Sequence, residues 1–315
     1  MNDSSSIRDV LIFTVYKELG SNKSVLFTTV LITYVLSLVI NVSLLLLFYL
    51  DHSLHKPMYI FLFCLLLNGL IGSTAVWPRV MFLLWTDINS ISYKLCLVQV
   101  FLLGTYGGCN FTILTVMAYD RFVSIFRPLQ YHTVMTPLRV KLLLVVANLP
   151  AALVLGQVIL TIQIPLCKYN LHRLFCDNVS VSNLSCGQTF QARLSNLYGL
   201  CAIIIFVVFP ICLIFLSYVK IMKLSLKASR HARRKAIETC TPHIMVFMNF
   251  SLASLFSVIY NRSNPYLPGE ARILLAIIYI LLPPLLHPII YGIKSQEIRC
   301  SIFKIWKRKI WFISG

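Results

Sequence analysis

Charged residues are scarce in this chain of 315 residues: only 12% are charged, while 58% are hydrophobic. A soluble domain usually carries about a quarter charged residues. The apolar excess is too large for one soluble core, and membrane insertion is the simplest explanation. A net charge of +18 would suggest nucleic-acid binding in a soluble protein. Here the basic residues stand between hydrophobic runs, so we predict a membrane protein with no nucleic-acid partner.

Sequence patterns typical of catalysis and cofactor binding are missing as well. The chain has no HExxH, no GxSxG and no phosphate-binding loop, so we predict no enzymatic activity, no cofactor and no metal. His243 and His287 are isolated within apolar runs, where a histidine is more often a hydrogen-bonded packing residue than a catalyst or ligand. The chain shows no internal repeat of spans, which argues against an inverted-repeat transporter. It also shows no Gly-rich filter loop, which argues against a channel.

Long apolar runs are the main feature that is present. A bilayer-crossing helix needs roughly 20 mainly apolar residues. The runs that qualify are residues 25–50, 57–84, 96–125, 139–162, 196–222, 237–260 and 271–292. They are too long and continuous for barrel strands of about 10 residues. The sequence therefore predicts an all-α membrane protein, a seven-transmembrane helix bundle.

The distribution of lysine and arginine predicts the orientation of this bundle. Most of the 28 basic residues fall on the side that receives the segments after the first, third, fifth and seventh spans. The side with more lysine and arginine residues is expected to be cytoplasmic. This places the N-terminus outside and the C-terminus inside. We predict an extracellular N-terminus over residues 1–24, the bundle over residues 25–292, and a cytoplasmic amphipathic helix and tail over residues 293–315.

Four of the ten cysteines fall on the predicted outer side: Cys96, Cys167, Cys176 and Cys186. Disulfides form in that oxidising environment. Four cysteines allow three pairings, and the sequence alone does not choose among them. Asn2, Asn178 and Asn183 begin sequons on the same side and are therefore candidates for N-glycosylation.

Polar residues inside the membrane are costly, and the pair Asp120-Arg121 ends the third span. Arg121 lies 25 residues after Cys96, about 37 Å along a helix, so the pair is expected at the cytoplasmic surface. One interpretation is an anchor at that interface. The other is a switch, a charge pair that breaks when helices move. Pro210 and Pro288 free backbone carbonyls in the fifth and seventh spans and allow kinks there.

Five motifs, in order along the chain, carry a family resemblance. They are LHKPMY at 54–59, MAYDRFVSI at 117–125, SY at 217–218, KAIETCTPH at 235–243 and PIIY at 288–291. Together they resemble the motifs of odorant receptors, a family of rhodopsin-like G-protein-coupled receptors. Details such as Asn68-Gly69 and Tyr291-Gly292-Ile293-Lys294 look like the fish type of this family.

The chain also departs from the family pattern at several positions. His287 replaces the asparagine before the seventh-helix proline, and Gly69 stands where the second helix usually has an acid. Because rhodopsin-like receptors bind sodium between those two residues, we expect no sodium site. Ser251 stands where an aromatic residue is expected in the sixth helix. Many relatives carry an acid at the inner end of that helix to hold the third-helix arginine. Here Arg233 and Arg234 stand near that place and Glu238 lies further along, which leaves Asp120 alone to hold Arg121.

The resemblance implies an allosteric mechanism. A small odorant binds between the outer halves of the helices and shifts the bundle to an active state. A heterotrimeric G protein of the stimulatory olfactory type then couples through Asp120, Arg121, Tyr218 and Tyr291 and raises cyclic AMP. The expected location is the plasma membrane of olfactory sensory neuron cilia, with membrane lipids as further partners. Alternatives are a non-olfactory rhodopsin-like receptor for another small ligand, and a transporter.

Ligand-contact candidates follow from helix positions and from the resemblance: Leu103, Gly104, Gly107, Gly108, Ala202, Val258 and Arg262. None of those in the third helix is acidic. The alternative role for the glycines is close helix packing. Arg262 follows the sixth helix, where some relatives use an arginine for acidic ligands, so the odorant is expected to be small, water-soluble and acidic. The alternative for Arg262 is a solvated loop charge. The resemblance also implies disulfides Cys96–Cys176 and Cys167–Cys186.

Overall fold

The computed structural model describes residues 10–86, 88–187, 189–227, 229–263 and 269–313, apart from some side chains, among them those of Val258 and Arg262. Eight long helices are present within these ranges. The first four are α1 (Lys23–Leu50), α2 (Pro57–Thr86), α3 (Tyr93–Phe126) and α4 (Pro137–Ile162). The fifth, α5, comprises Phe190–Ile203, a π-helical segment Ile204–Val208, and Phe209–Lys227. Then come α6 (Arg230–Ser263), α7 (Gly269–Ala276, π-helical Ile277–Leu281, Leu282–Lys294) and α8 (Gln296–Ile313).

Each predicted span falls within one of α1 to α7, so the prediction of a seven-helix bundle is confirmed. Among the described residues, six of these seven helices are long and apolar enough to cross a bilayer by length and composition alone. The seventh, α6, has side chains outside the described residues at positions 257–260 of its predicted span. Hydroxyl caps mark where three helices begin, because Ser92, Thr136 and Thr189 each accept a hydrogen bond from a backbone N–H of the first turn.

The third helix is the centre of the bundle. It packs against α2, α4, α5 and α6, while α7 packs against α1, α2 and α6. In α2, α3 and α7, half or more of the residues in the most apolar stretch of 18 residues are buried within the bundle. These helices therefore carry the interior surfaces on which a binding or switching site can form.

Prolines in α7 release carbonyl groups that side chains of other helices satisfy. Pro283 has no N–H for the carbonyl of Tyr279, which instead accepts a hydrogen bond from the Tyr106 hydroxyl of α3 at 3.2 Å. Pro288 likewise leaves the carbonyl of Pro284 free, and Asn41 of α1 donates to it at 2.7 Å. Helix α7 is thus tied by hydrogen bonds to two neighbouring helices.

A small sheet covers part of the outer end of the bundle, the end that carries the disulfides. Strand β1 (Val10–Phe13) lies between β2 (Ser90–Ser92), which is antiparallel to it, and β3 (Asn170–Leu171), which is parallel. Leu11 and Phe13 alternate with exposed neighbours and are fully buried, as a strand with one covered face requires. The N-terminal segment therefore packs against the outer end, a feature that the span pattern did not predict.

Two disulfides hold the loop between α4 and α5. Cys96, at the outer end of α3, is bonded to Cys176 with an S–S distance of 2.04 Å. Cys167 is bonded to Cys186, 19 residues later in the chain. These are the pairs that the family resemblance implies, and the first fixes the loop to the central helix.

We expect mass-spectrometric mapping of the purified protein to recover these two pairs. Closing a loop of 19 residues stabilises a fold by about 3 kcal/mol in the chain-entropy model. The double variant Cys167→Ala/Cys186→Ala should therefore melt at a lower temperature than the native protein. A peptide in which Cys96 is bonded to Cys167 or Cys186 would contradict the pairing.

The last helix, α8, is fixed to the loop between α1 and α2 by two carboxylates. Asp51 accepts hydrogen bonds from Ser301 at 2.5 Å and from the Ser53 N–H at 3.1 Å. These bonds, the Ser301 bond foremost, hold the pKa of Asp51 well below its usual range despite its burial. Glu297 pairs with Lys56 at 2.6 Å and accepts from the Tyr59 hydroxyl. Burial raises the pKa of Glu297, but these contacts outweigh it and lower that pKa overall.

Candidate functional site

Arg121 lies on α3 at the inner end of the bundle, partly buried among tyrosines and acids. Its charge is close enough to interact with the hydroxyls of Tyr218 and Tyr291 and with Glu297. Its Nε atom is buried and has no hydrogen-bond partner within the described residues. An unpartnered buried donor costs about 1–3 kcal/mol. Arg121 is therefore held at the centre of the predicted coupling surface with unused hydrogen-bonding capacity.

Asp120 is bonded differently from the expectation. Its Oδ1 accepts a hydrogen bond from the Tyr131 hydroxyl at 2.7 Å, and the residue is only 1% exposed. Across the described ranges, Asp120 and Arg121 form no ion pair within 4 Å, so the prediction is wrong as a direct contact, and only a longer-range attraction between the two charges remains. Successive residues of a helix point about 100° apart, which separates the two side chains. Burial and the Asp120 carboxylate both raise the pKa of Tyr131, which keeps the phenol protonated as a donor.

The acid of the sixth helix is also engaged elsewhere. Glu238 accepts a hydrogen bond from the Arg234 Nε at 2.8 Å, one helical turn earlier. Both side chains of this pair are largely exposed, so it contributes little to stability. Arg121 is therefore not restrained by Glu238 in this arrangement.

His243 of α6 connects three helices. Its Nε2 lies 3.1 Å from the carbonyl oxygen of Leu114 on α3, and its Nδ1 is hydrogen-bonded to the hydroxyl of Tyr218 on α5. A carbonyl can only accept, so Nε2 carries the proton and Nδ1 accepts from Tyr218. The expectation of a hydrogen-bonded packing histidine fits this geometry. The contact also ties the inner half of α6 to α3 and α5.

Several buried polar atoms below the centre of the bundle have no partner within the described part of the chain. They are Asn110 Oδ1 on α3, Asn249 Oδ1 on α6, and His287 Nε2 and the Tyr291 hydroxyl on α7. Buried polar groups are rarely left unpaired in proteins. Each of these atoms therefore keeps the capacity for a further hydrogen bond.

A cavity of about 640 Å³ opens at the inner end between α2, α3, α6, α7 and α8. Its lining includes Arg121, Glu238, Thr241, Lys294 and Arg299. With Glu297, the lining carries three cationic side chains and two acidic ones. The cavity therefore offers a partner protein a surface of mixed charge with Arg121 in its wall.

An aromatic cluster lies above this region, in the middle of the bundle. Phe250 of α6 packs edge-on against Tyr106 of α3 at 5.8 Å and stacks with Tyr279 of α7 at 6.0 Å. Phe250 also faces His287 at 6.5 Å. The aromatic residue missing at position 251 is thus supplied by the preceding residue, and the cluster joins the three helices around the predicted pocket.

The ligand candidates of α3 separate into two groups. Leu103 is buried in the outer core, and a Cβ on Gly107 would lie 2.8 Å from the Tyr279 hydroxyl, so both face the bundle interior. A Cβ on Gly104 would lie 2.8 Å from Val154 of α4, and one on Gly108 would lie 2.7 Å from Pro150. The prediction that Gly104 and Gly108 line the pocket is wrong, because α4 covers them, and close helix packing is their role.

The remaining candidates are placed less completely. Ala202 is half-buried on α5, just before its π-helical segment. The side chains of Val258 and Arg262, and the glycosylation candidate Asn2, lie outside the described residues. Gly69 packs against Pro284 of α7: a Cβ added to Gly69 would lie 3.3 Å from the Cβ of Pro284. A side chain at position 69 would therefore have to fit tightly against Pro284, and the lack of a sodium site stays a prediction.

Sequence reasoning assigned no role to Tyr106, Tyr131 and Phe250, although Tyr106 and Phe250 lie within predicted spans. Tyr131 follows the MAYDR motif by ten residues, between two spans, and nothing in the spacing marks it as the partner of Asp120. Phe250 adjoins Ser251, where an aromatic residue was expected. Tyr106 is fully buried and its ring occupies the space beside Gly72.

Comparison with known proteins agrees with this architecture. A family model described as olfactory receptor matches residues 30–309. Human olfactory receptor 52J3 is 33% identical over 279 residues, covering 88% of each chain. Human olfactory receptor 52N5 is 34% identical, covering 87% of this chain and 85% of its own, and olfactory receptor 51E1 is 33% identical, covering 87% and 86%. These relatives are human, so the fish-type subdivision stays a prediction. The chain belongs to the olfactory receptor family, whose members are multi-pass membrane receptors for small molecules and partners of G proteins, not enzymes.

Proposed function

We propose that this receptor is activated by a small odorant and that it couples, through Arg121, to a stimulatory olfactory G protein that raises cyclic AMP. The observation that carries the proposal is the position of Arg121. It stands in the wall of the inner cavity, within reach of Tyr218 and Tyr291, and within the described ranges no acid forms an ion pair with it at 4 Å or less. By family membership, residues 1–24 would be extracellular, residues 293–315 would be cytoplasmic, and the receptor would reside in the lipid membrane of sensory cilia.

The odorant would bind near Leu103 and Gly107 and act on the aromatic cluster. Because Phe250 contacts Tyr106 and Tyr279, a ligand that displaces either tyrosine changes the packing of α6 and α7. Only a ligand that binds the active arrangement more tightly shifts the population toward it. A tenfold preference corresponds to about 1.4 kcal/mol.

His243 and Tyr218 would form the inner half of the switch. Their hydrogen bond and the contact of His243 with Leu114 hold α6 against α3 and α5 in the present arrangement. When the inner end of α6 moves outward, these contacts break and the Tyr218 hydroxyl is released. Arg121 Nε and the Tyr291 hydroxyl, both without partners here, can then gain hydrogen bonds that offset the loss.

The bond between Asp120 and Tyr131 would favour the inactive arrangement. We expect Tyr131→Phe to lower the melting temperature, because a buried carboxylate that loses its donor costs about 1–3 kcal/mol. Basal signalling should rise in Tyr131→Phe and in Asp120→Asn. Tyr119→Phe is the matched control, since Tyr119 is 36% exposed. Wild-type melting temperature and basal activity in Tyr131→Phe would refute this role.

The ligand would be a small, water-soluble molecule with a carboxylate, bound by Arg262 at the outer end of α6. An arginine can hold a carboxylate through two parallel hydrogen bonds. Losing such a contact costs about 1.5–3 kcal/mol, or roughly ten- to 150-fold in potency. Arg262→Ala should lose that potency toward an acid and change little toward its methyl ester, and Arg262→Lys should be intermediate. Unchanged potency of an acidic agonist in Arg262→Ala would contradict this ligand class.

The direct test of the whole function is a cyclic-AMP reporter in cells that express the receptor at the surface. The panel would contain amino acids, bile acids, simple carboxylates and neutral volatile odorants. Activation by acids supports both the receptor role and the ligand class. Activation by neutral or cationic odorants alone would overturn the ligand class but leave the receptor role intact.

A further inference from the structure

The loop between α4 and α5 carries two N-glycosylation sequons, Asn178-Val179-Ser180 and Asn183-Leu184-Ser185, whose asparagines stand in different surroundings. We propose that Asn183 is the glycosylated asparagine of this loop, that Asn178 is unmodified in the folded receptor, and that the first sugar on Asn183 lies in an adjacent groove. The proposal depends on neither the odorant nor the G protein.

Asn178 is committed to the packing of the loop on the bundle. Its Oδ1 accepts a hydrogen bond at 2.8 Å from the hydroxyl of Thr161, which is fully buried on α4. Its Nδ2, the atom to which a glycan attaches, faces α5 and lies 3.9 Å from where a Cβ on Gly199 would stand. Because Nδ2 lies this close to Gly199, a sugar attached to it would have to enter the contact between the loop and α5. A chain glycosylated at Asn178 could not form this packing.

Asn183 has the opposite environment. It follows the one-turn helix Asn178–Ser182, and its backbone N–H donates to the carbonyl of Val179 at 3.0 Å, which fixes its position. The side chain is exposed and forms no hydrogen bond with any described residue. The sequon hydroxyl, on Ser185, lies on the same accessible surface and donates to the carbonyl of Gly187. Both groups that glycosylation requires are therefore compatible with the folded loop.

A groove of about 700 Å³ lies directly beside Asn183, between the loop and the first turns of α5. Besides Asn183, its lining includes Lys168, Ser182, Arg193 and Asn196. The Ser182 hydroxyl oxygen is buried and has no partner within the described atoms, although the residue lines the groove. An N-acetylglucosamine carries hydroxyl and acetamide groups that can both donate and accept hydrogen bonds. The groove offers it a cationic and amide-rich wall and one unsatisfied hydroxyl.

The modification itself uses a pyrophosphate-linked lipid oligosaccharide as donor. A bond forms between Asn183 Nδ2 and C1 of the first sugar, and the bond between C1 and the pyrophosphate oxygen breaks. The lipid pyrophosphate leaves, and Nδ2 loses one proton. Because attachment precedes folding, the folded structure acts by selecting which glycosylated chains can reach the surface.

Occupancy at the two sites can be measured on receptor isolated from the surface of vertebrate cells. Peptide-N-glycosidase in ¹⁸O water converts each occupied asparagine to a labelled aspartate, which peptide mass spectrometry then locates. We expect label at Asn183 and none at Asn178. Ser185→Ala should remove one glycan, so that the receptor migrates faster on a gel, whereas the matched Ser180→Ala should leave the migration unchanged. Label at Asn178, or a surface receptor without label at Asn183, would overturn the assignment.

The groove is tested separately by thermal stability. Receptor trimmed enzymatically to a single sugar on Asn183 should melt a few degrees above Asn183→Gln receptor, because the remaining sugar still fills the groove. This difference should shrink in a Ser182→Ala background. If the trimmed receptor and Asn183→Gln melt at the same temperature, the sugar does not bind the groove.

Discussion

Replacing Arg121 with alanine should abolish agonist-stimulated G-protein activation, while surface expression and ligand binding remain measurable. Arg121 lies in the wall of the inner cavity and far from the outer pocket, so its loss removes the coupling surface and leaves the pocket intact. A loss of 100-fold or more in response, about 2.7 kcal/mol, is expected for an interaction made in the active complex. The measurement is cyclic AMP against agonist concentration at matched surface expression.

Two variants sharpen this experiment. Arg121→Lys retains the charge but loses the fork-shaped hydrogen-bonding group, so we expect a partial response. Arg127→Ala removes an exposed charge from the end of the same helix and should retain most of the signal. A normal response in Arg121→Ala at matched surface expression would contradict the coupling role.

Gly72→Ala should be the most damaging single-methyl substitution in the bundle. A Cβ at this position would lie 2.4 Å from two ring carbons of Tyr106, nearer to the backbone than the flexible end of the side chain. Tyr106 is fully buried and hydrogen-bonded to the Tyr279 carbonyl, so the ring cannot move aside cheaply. Overpacking of this kind costs about 1–3 kcal/mol or more. We expect a large fall in surface receptor and in melting temperature.

The control for Gly72→Ala is Gly292→Ala. Gly292 is also a helical glycine, and a Cβ there would have no described atom within 4 Å, so this variant should express normally. Truncating the ring should reduce the cost, so Gly72→Ala combined with Tyr106→Ala should show a positive coupling in a double-mutant cycle. Equal surface expression of Gly72→Ala and Gly292→Ala would refute the close contact of α2 with Tyr106.

The helices of this receptor were predictable from sequence because lipid imposes a simple rule. A spanning segment must satisfy its own backbone hydrogen bonds and expose apolar side chains, so long apolar runs specify both helix and length. This rule succeeded even for α6, where Glu238 and His243 interrupt the apolar run. The motifs then gave the order of the functional segments and the candidate switch residues.

Which way each side chain faces was less predictable, because helix rotation depends on packing that apolar content does not encode. Gly104, Gly107 and Gly108 lie within five residues of one another, yet only Gly107 faces the bundle interior, and α4 covers the other two. The same limit applies to the sixth helix, where the aromatic role belongs to Phe250 and not to position 251. It also applies to Asp120, whose hydroxyl partner Tyr131 lies in the following loop.

The N-terminal strand shows a second limit. Val10–Phe13 is only four residues long and pairs with segments about 80 and 160 residues away in the chain. Its four residues are all apolar, so the sequence shows neither which side chains are buried nor which segments pair with it. Its place over the outer end became evident only from the fold.

The central claim is that an odorant bound in the outer half of the bundle activates a G protein through Arg121. It is tested most directly with purified receptor and purified stimulatory olfactory G protein in lipid nanodiscs, by following nucleotide exchange on the G protein. An agonist found in the cyclic-AMP screen should accelerate exchange with wild-type receptor and not with Arg121→Ala, although both bind the agonist with similar affinity. Equal acceleration of exchange by the two receptors would contradict the claim.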